Sequence, residues 1–170
     1  MKEIILNPIG WVRSEIKDPS LKAHFGGLKG KSDKASSLPL GIISEIQVNP
    51  KYKSLLDGVE DFSHLLVLYW AHHVKSEGRS LAKVHPMGRK DMPLTGILAT
   101  CSPARPNPVL VMAVKLLEVN DTVLRVSGLD AVDGSPVIDI KPYLPHYYSV
   151  EDAKLSPWMN QLIAEISDSS

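Results

Sequence analysis

AVKLLEVNDTVLRVSGL, residues 113–129, is the stretch that decides the fold. Two runs rich in valine and leucine flank the pair Asn120 and Asp121. A short polar pair of this kind between two strand-like segments is typical of a β-hairpin. The first run extends back to Val109, so we predict a long first strand paired with an antiparallel second one.

Similar short runs occur along the rest of the chain, separated by glycine, proline, asparagine and aspartate, and they predict a mostly β protein. The other strand-like runs are IGWVRSEI (9–16), LGIISEIQV (40–48), SHLLVLYWAHHV (63–74), TGILAT (95–100) and SPVIDIKPYL (135–144). Helix is the minority, with one short segment predicted at 51–59 and one at 156–166, where proline occupies the first helical position. The segments 24–37 and 75–93 are irregular and rich in glycine or lysine, so we predict loops there.

Composition limits the class of protein. The 170 residues are 44% hydrophobic and 22% charged, which suits one folded domain over residues 1–170. We expect a cytoplasmic protein without a membrane span, because there is no long apolar run and the start lacks a secretory signal. The lone Cys101 excludes an internal disulfide framework. Nineteen basic residues balance nineteen acidic ones, so binding to nucleic acid would need a local basic patch.

The common nucleotide and hydrolase motifs are missing: the chain has no GxGxxG after a first strand, no Walker loop, no HExxH and no GxSxG. The stiff segment ARPNP is a candidate site instead, since its prolines hold Arg105 and Asn107 in extended geometry. An arginine presented in this way can bind a carboxylate or a phosphate. A rigid loop with a solvated arginine is the alternative, and both interpretations remain open.

The stretch 127–145, SGLDAVDGSPVIDIKPYLP, is the second candidate. Asp130 lies in an apolar run, where a carboxylate needs a donor. We interpret Asp133 as a turn former, and Asp139 with Lys141 as a pair on one face of a strand. Near the end of another strand, His72 and His73 are adjacent and point to opposite faces, so they cannot readily ligate one metal ion, and we predict no metal site.

Five motifs, in this order and at about this spacing, resemble those of the TrmO/YaeB family, also called TsaA-like. They are IGWVRSEI, LDGVEDFSHLLVLYWAHH, VHPMG, GILATCSPARPNP and SGLDAVDGSPVIDIKPYLP. The resemblance implies a single-domain antiparallel β-barrel with one or two short helices, including a C-terminal one. It also implies a homodimer that binds S-adenosyl-L-methionine and methylates N6 of the threonylcarbamoyl-modified adenosine at position 37 of certain tRNAs.

The resemblance assigns roles to thirteen residues. Those implied to bind the cofactor are Gly26, Gly27, Leu28, His72, His73, Cys101, Val111, Ser127, Gly128, Leu129 and Asp130. Arg105 and Asn107 are the implied catalytic residues. Cys101 and Leu110 stand where the family commonly has arginine and glycine. Two alternatives therefore stay open: a methyltransferase of this fold that acts on a small molecule, and a non-enzymatic dimer that binds S-adenosyl-L-methionine.

Overall fold

The structure is a computed structural model that describes residues 3–19, 21–24, 27–30 and 41–167, with the backbone alone for 21–24 and 27–30. Ten strands lie within these residues: β1 (Gly10–Arg13), β2 (Leu21–His24), β3 (Gly27–Gly30), β4 (Ile43–Val48), β5 (His64–Trp70), β6 (Lys83–Val84), β7 (Thr95–Gly96), β8 (Val109–Asn120), β9 (Val123–Ser127) and β10 (Pro136–Pro142). The helices are α1 (Ser76–Arg79), α2 (Pro145–Tyr148) and α3 (Pro157–Ser167), together with 3-10 helices at Pro50–Leu56, Val59–Asp61, Pro86–Gly88 and Ile97–Ala99.

Six strands close into a barrel in the order β1, β10, β5, β8, β9, β4 and back to β1, and every neighbouring pair is antiparallel. The predicted hairpin forms the β8–β9 pair, with Asn120 opposite Val123. Asp121 takes a φ of 54°, a left-handed conformation that aspartate tolerates better than most residues. The predicted mostly β, antiparallel barrel with a C-terminal helix is confirmed.

Side chains fill the barrel interior. Along β5, Leu65, Val67 and Tyr69 are buried and the residues between them are not, as expected for a strand with one face on a core. Val114 and Leu124 pack against them from the β8–β9 hairpin. Full burial of each such side chain stabilises the fold by about 1.5–3 kcal/mol. A barrel packed in this way leaves its rim and outer faces for ligands.

The chain divides into two compact units. The first contains the barrel and comprises residues 3–19, 41–72 and 109–143 of those described. The second comprises residues 21–24, 27–30, 73–108 and 144–167; it holds the hairpins β2–β3 and β6–β7 and the three α-helices. The assignment of residues 1–170 to a single domain stays a prediction.

Several local predictions need correction. TGILAT is a strand only at Thr95–Gly96 and then becomes a 3-10 helix, so its apolar residues do not continue a sheet. The predicted loop 75–93 contains α1, β6 and the 3-10 helix Pro86–Gly88. The predicted loop 24–37 contains the strand Gly27–Gly30, which pairs with Leu21–His24. In each case tertiary pairing or local turns override weak propensity.

The two predicted helical segments differ in outcome. Residues 51–59 overlap a 3-10 helix that begins at Pro50 and ends at Leu56, and the Asn49 side chain accepts a hydrogen bond from the Lys51 amide at its start. Helix α3 begins at Pro157, the predicted first position, and has 11 residues. Among the described residues, no helix has both the length and the apolar character needed to span a membrane.

Candidate functional site

Several of the predicted cofactor residues lie at one end of the barrel, which we call the barrel mouth. At this end β5 finishes at Trp70, β9 finishes at Ser127, and the antiparallel strand between them, β8, begins at Val109. His72 follows β5 directly, and the segment 127–130 leaves β9 here. Topology therefore brings two separate predicted motifs to the same end of the barrel.

The segment 127–130 has a defined backbone. Gly128 has a φ of +90°, a region that favours glycine, and its amide donates to the Ile42 carbonyl at 2.9 Å. Leu129 is fully buried in the barrel core. Because the Leu129 side chain is buried in the core, only the backbone of this residue can contact a ligand at the mouth.

Tyr69 holds this segment from inside the barrel. Its hydroxyl donates to the Asp130 carbonyl at 2.5 Å, and the residue is only 4% exposed. Two effects raise the pKa of Tyr69 well above its usual value: burial is the larger, and the negative charge of Asp130 is the smaller. The phenol therefore keeps its proton. Loss of solvent contact also raises the pKa of the Asp130 carboxyl, although the residue as a whole is exposed. Sequence analysis did not single out Tyr69.

His72 is half-buried and lies beside the start of β10. Its Nδ1 is 3.3 Å from the Ser135 hydroxyl, and the tautomer decides which of the two donates. The neighbouring His73 is exposed and belongs to the second unit. No group of three or more histidine, cysteine, aspartate or glutamate residues suited to a metal ion occurs in the described parts of the chain.

Val111 lies on the outer face of β8. The side chains on either side of it in sequence pack against the core, whereas Val111 itself is 61% exposed. Its cross-strand partner is Leu68, which also faces outward from β5. A ligand that contacts Val111 must therefore lie on the outer surface and not inside the barrel.

The stiff loop in the second unit is built around its arginine. Arg105 is half-buried, its Nε donates to the Ser102 carbonyl at 2.8 Å, and its Nη2 donates to the Thr100 carbonyl. The guanidinium thus binds its own loop, which differs from the solvated arginine of the alternative interpretation. Three of its five N–H groups are not used in these two bonds. Cys101 and Asn107 are exposed beside it.

The predicted glycine motif lies partly outside the described residues, since Gly26 is not among them. The backbone of Gly27 and Leu28 belongs to β3, opposite His24 and Ala23 of β2. These two residues are in the second unit.

Two interpretations of individual side chains in the 127–145 stretch can be compared with the structure. Asp139 and Lys141 form the predicted same-face pair on β10, with Oδ2 and Nζ 2.5 Å apart. Asp133 accepts from the Ser14 amide at 3.0 Å and pairs with Lys17 at 2.9 Å. Asp133 therefore ties the turn before β10 to the chain that leaves β1, beyond its predicted role as a turn former.

A surface cleft of about 280 Å³ lies near the opposite end of the barrel, beside the end of β10 and the 3-10 helix Pro50–Leu56. Its lining is mainly apolar and includes Ile9, Val48 and Ile140. None of the thirteen residues to which the resemblance assigns roles lines it, although Asp139 and Lys141 of the 127–145 stretch do.

Comparison with known proteins agrees with this geometry. A family model described as the tRNA-methyltransferase O N-terminal domain matches residues 32–149, which include the 101–108 loop and the 127–130 segment. The chain belongs to the TrmO family. A TrmO crystal structure from Pseudomonas aeruginosa has a TM-score of 0.64 and 26% identity, over 90% of this chain and 61% of that one.

Two relatives of this TrmO family member differ in length. A "Probable S-adenosyl-L-methionine-binding protein" of Methanothermobacter thermautotrophicus is 43% identical over 141 residues, which cover 83% of this chain and 90% of that protein. The "tRNA (adenine(37)-N6)-methyltransferase" of Escherichia coli is 40% identical over 114 residues, or 65% of this chain and 48% of that protein. This chain therefore matches nearly the whole of the first relative but about half of the second.

Proposed function

We propose that the chain is an S-adenosyl-L-methionine-dependent methyltransferase that methylates N6 of the threonylcarbamoyl-modified adenine at position 37 of tRNA. The observation that carries the proposal is the 40% identity to the Escherichia coli tRNA (adenine(37)-N6)-methyltransferase over 114 residues. The family match over residues 32–149 supports it, since that range holds the barrel mouth and the stiff loop.

The chemistry of the barrel mouth suits a nucleoside that carries an amine and hydroxyl groups. The exposed Asp130 carboxylate can accept hydrogen bonds from an amine or from a ribose hydroxyl, and Ser127, three residues earlier in the chain, also carries a hydroxyl. Tyr69 and the Gly128 conformation fix the backbone between them. We assign cofactor binding to Gly26, Gly27, Leu28, His72, His73, Cys101, Val111, Ser127, Gly128, Leu129 and Asp130.

Such a cofactor would supply an activated methyl group on a sulfonium, which is already a good leaving group. Positioning of the acceptor nitrogen then provides much of the rate. We assign this positioning to Arg105 and Asn107, since the Arg105 guanidinium is already oriented by two bonds to its own loop. Donors held in this way need little reorganisation when the acceptor binds.

Contact with tRNA requires a local basic patch, because the chain has no net charge. In the segment 75–90, Lys75, Lys83 and Lys90 are exposed. Arg79 donates to the Val74 carbonyl, and Arg89 is paired with carboxylates, so both arginines are already engaged. The three lysines are therefore our candidates for phosphate contacts. A cytoplasmic location is part of the same proposal, since the chain would encounter its tRNA substrate in the cytoplasm.

We also propose a homodimer. The outer face of β5 and β8 presents the cross-strand pairs Leu68 with Val111 and Leu66 with Ala113, and Val111 is 61% exposed. An apolar face of this kind on a barrel is suited to burial against a second copy. A Val111→Glu variant should then be monomeric by light scattering, whereas Leu55→Glu, at a 74% exposed site, should not change the mass. Equal masses for the two variants would contradict this interface.

A second candidate is a protein that binds S-adenosyl-L-methionine without acting on tRNA, either with a small-molecule acceptor or with none. Sequence identity favours it: the chain is 43% identical to the Methanothermobacter relative, which is named for cofactor binding, and 40% identical to the Escherichia coli enzyme.

Transfer of a labelled methyl group from the cofactor decides between these candidates. The chain should label total tRNA, digestion should place the label on an N6-methylated adenosine, and the rate should fall steeply with added salt. Replacing Lys75, Lys83 and Lys90 by glutamine should weaken tRNA binding and reduce its salt slope by about one for each lysine replaced, whereas Lys154→Gln should not. Label in small molecules alone would favour the second candidate, and cofactor binding without any transfer would favour its non-enzymatic form.

A further inference from the structure

One arginine fastens the C-terminal helix to the 3-10 turn Pro86–Gly88. Arg89 follows this turn directly, and only 17% of its side chain is exposed. Its Nη1 and Nη2 donate to the two carboxylate oxygens of Glu165 on α3, the second at 3.2 Å. Its Nε and Nη2 also donate to Asp91, at 3.2 and 2.5 Å. We call Arg89, Asp91 and Glu165 the arginine latch.

The latch has the geometry of a strong ion pair. Arg89 meets both carboxylates with two-pronged contacts, which are more directional than a single lysine contact. Hydrogen bonds from Arg89 lower the pKa of Asp91 and, together with one from Gln161, that of Glu165. Both carboxylates therefore remain ionised at neutral pH, and both keep their ion pairs with Arg89.

The turn that the latch holds is an unusual one. Met87 has a φ of +57° and Gly88 a φ of +72°; a positive φ is uncommon for a residue other than glycine. His85 Nδ1 and the Met92 carbonyl, 2.7 Å apart, close the base of the turn, and Met92 is buried. Backbone strain of this kind persists only where the surroundings enforce it, and it occurs often at binding sites.

The neighbour of this turn is β3. Cα atoms of the turn Pro86–Gly88 lie within 8 Å of Cα atoms of β3, which carries Gly27 and Leu28. The latch, the turn and β3 all belong to the second unit. Arg89 thus joins Glu165 to the turn, and the turn lies next to the backbone of β3.

We propose that Arg89 and Glu165 are positioning residues, which fix the turn Pro86–Gly88 and so hold β3 in the conformation that binds the cofactor. This inference rests on the proposed function, because it assumes that Gly27 and Leu28 contact S-adenosyl-L-methionine. The family model ends at residue 149, so Glu165 lies beyond the matched domain. Helix α3 and β3 both lie outside the matched range 32–149, so the proposal concerns contacts that the family model does not cover.

Glu165→Gln tests the proposal, since it keeps the shape of the side chain and removes its charge. Glu151→Gln is the matched control, at an exposed glutamate of the same unit. Two quantities are measured on the full chain: the Kd for S-adenosyl-L-methionine by calorimetry, and amide hydrogen exchange at residues 27–30 without cofactor. We expect Glu165→Gln to raise the Kd by roughly 2- to 30-fold and to speed exchange at 27–30, with no change in the control.

Arg89→Lys provides a second variant that keeps the positive charge and loses the two-pronged geometry. It should change Kd and exchange in the same direction as Glu165→Gln, by a smaller factor. A lower melting temperature with unchanged exchange at 27–30 and unchanged Kd would show that the latch merely stabilises α3, and would overturn the proposal. If the unsubstituted chain does not bind the cofactor, the proposed function fails; unchanged exchange would then also overturn the positioning of β3, and faster exchange would support it.

Discussion

Tyr69→Phe gives the sharpest test of how the barrel mouth is held. The substitution keeps the buried ring, so it leaves no large cavity, and it removes only the hydroxyl that donates to the Asp130 carbonyl at 2.5 Å. A hydrogen bond of this kind contributes about 0.5–1.5 kcal/mol net. We therefore expect a loss of about 1 kcal/mol in the free energy of unfolding.

The same bond bears on function, because it fixes the segment proposed to contact the cofactor. If the substitution weakens cofactor binding by the same 1 kcal/mol, the Kd for S-adenosyl-L-methionine rises by roughly fivefold. Chemical denaturation measures the first effect and calorimetry the second. Tyr147→Phe is the matched control, because Tyr147 is 74% exposed. Equal unfolding midpoints and equal Kd values for parent and Tyr69→Phe would refute the positioning role of Tyr69.

Two further predictions concern the barrel itself. Gly10→Ala should destabilise the fold by about 1–3 kcal/mol or more in urea denaturation, because the added Cβ would lie 2.3 Å from the Gln47 carbonyl oxygen. Gly96→Ala is the control and should cost far less, since nothing lies within 4 Å of its added Cβ. Similar urea midpoints for the two variants would contradict this prediction. Hydrogen bonds from Lys17, and to a lesser extent from the Ser14 amide, lower the pKa of Asp133 in the folded protein. Between this folded-state pKa and the higher pKa of the unfolded chain, the unfolded chain binds more protons. Stability therefore falls as the pH drops through that range. Urea midpoints from pH 6 down to pH 2 should therefore fall less steeply for Asp133→Asn than for the parent, and parallel curves would exclude this contribution.

The barrel could be predicted from sequence because its signals are local. The hairpin β8–β9 follows from a polar pair between two apolar runs, and β5 follows from a run of β-formers whose alternate residues are buried. Segment 75–93 has no such period, so its short helix and strand could not be distinguished from a loop. TGILAT shows the limit of composition: its apolar residues suit a strand, but after Gly96 the chain turns into a 3-10 helix.

The candidate site was predictable as a set of motifs but not as contacts. Tyr69 and Asp130 are 61 positions apart, and Arg89 and Glu165 are 76 apart. No spacing rule links such residues, since only the closed barrel or the packed second unit brings them together. Tyr69 in particular resembles any inward-facing aromatic residue of a strand until its hydroxyl is placed.

Arg105 shows how the contacts in the folded structure change the interpretation of a motif. Its sequence context suggested either a ligand-binding arginine or a solvated one, yet two of its N–H groups bind carbonyls of its own loop. An arginine used in this way costs less conformational entropy when it contacts a ligand, because its side chain is already ordered. Its removal should then affect both the loop and the acceptor, so Arg105→Ala alone cannot separate the two roles. Arg105→Lys retains the charge and loses the planar fork, and a fall in the methyl-transfer rate with unchanged cofactor Kd would assign Arg105 to the acceptor side of the reaction.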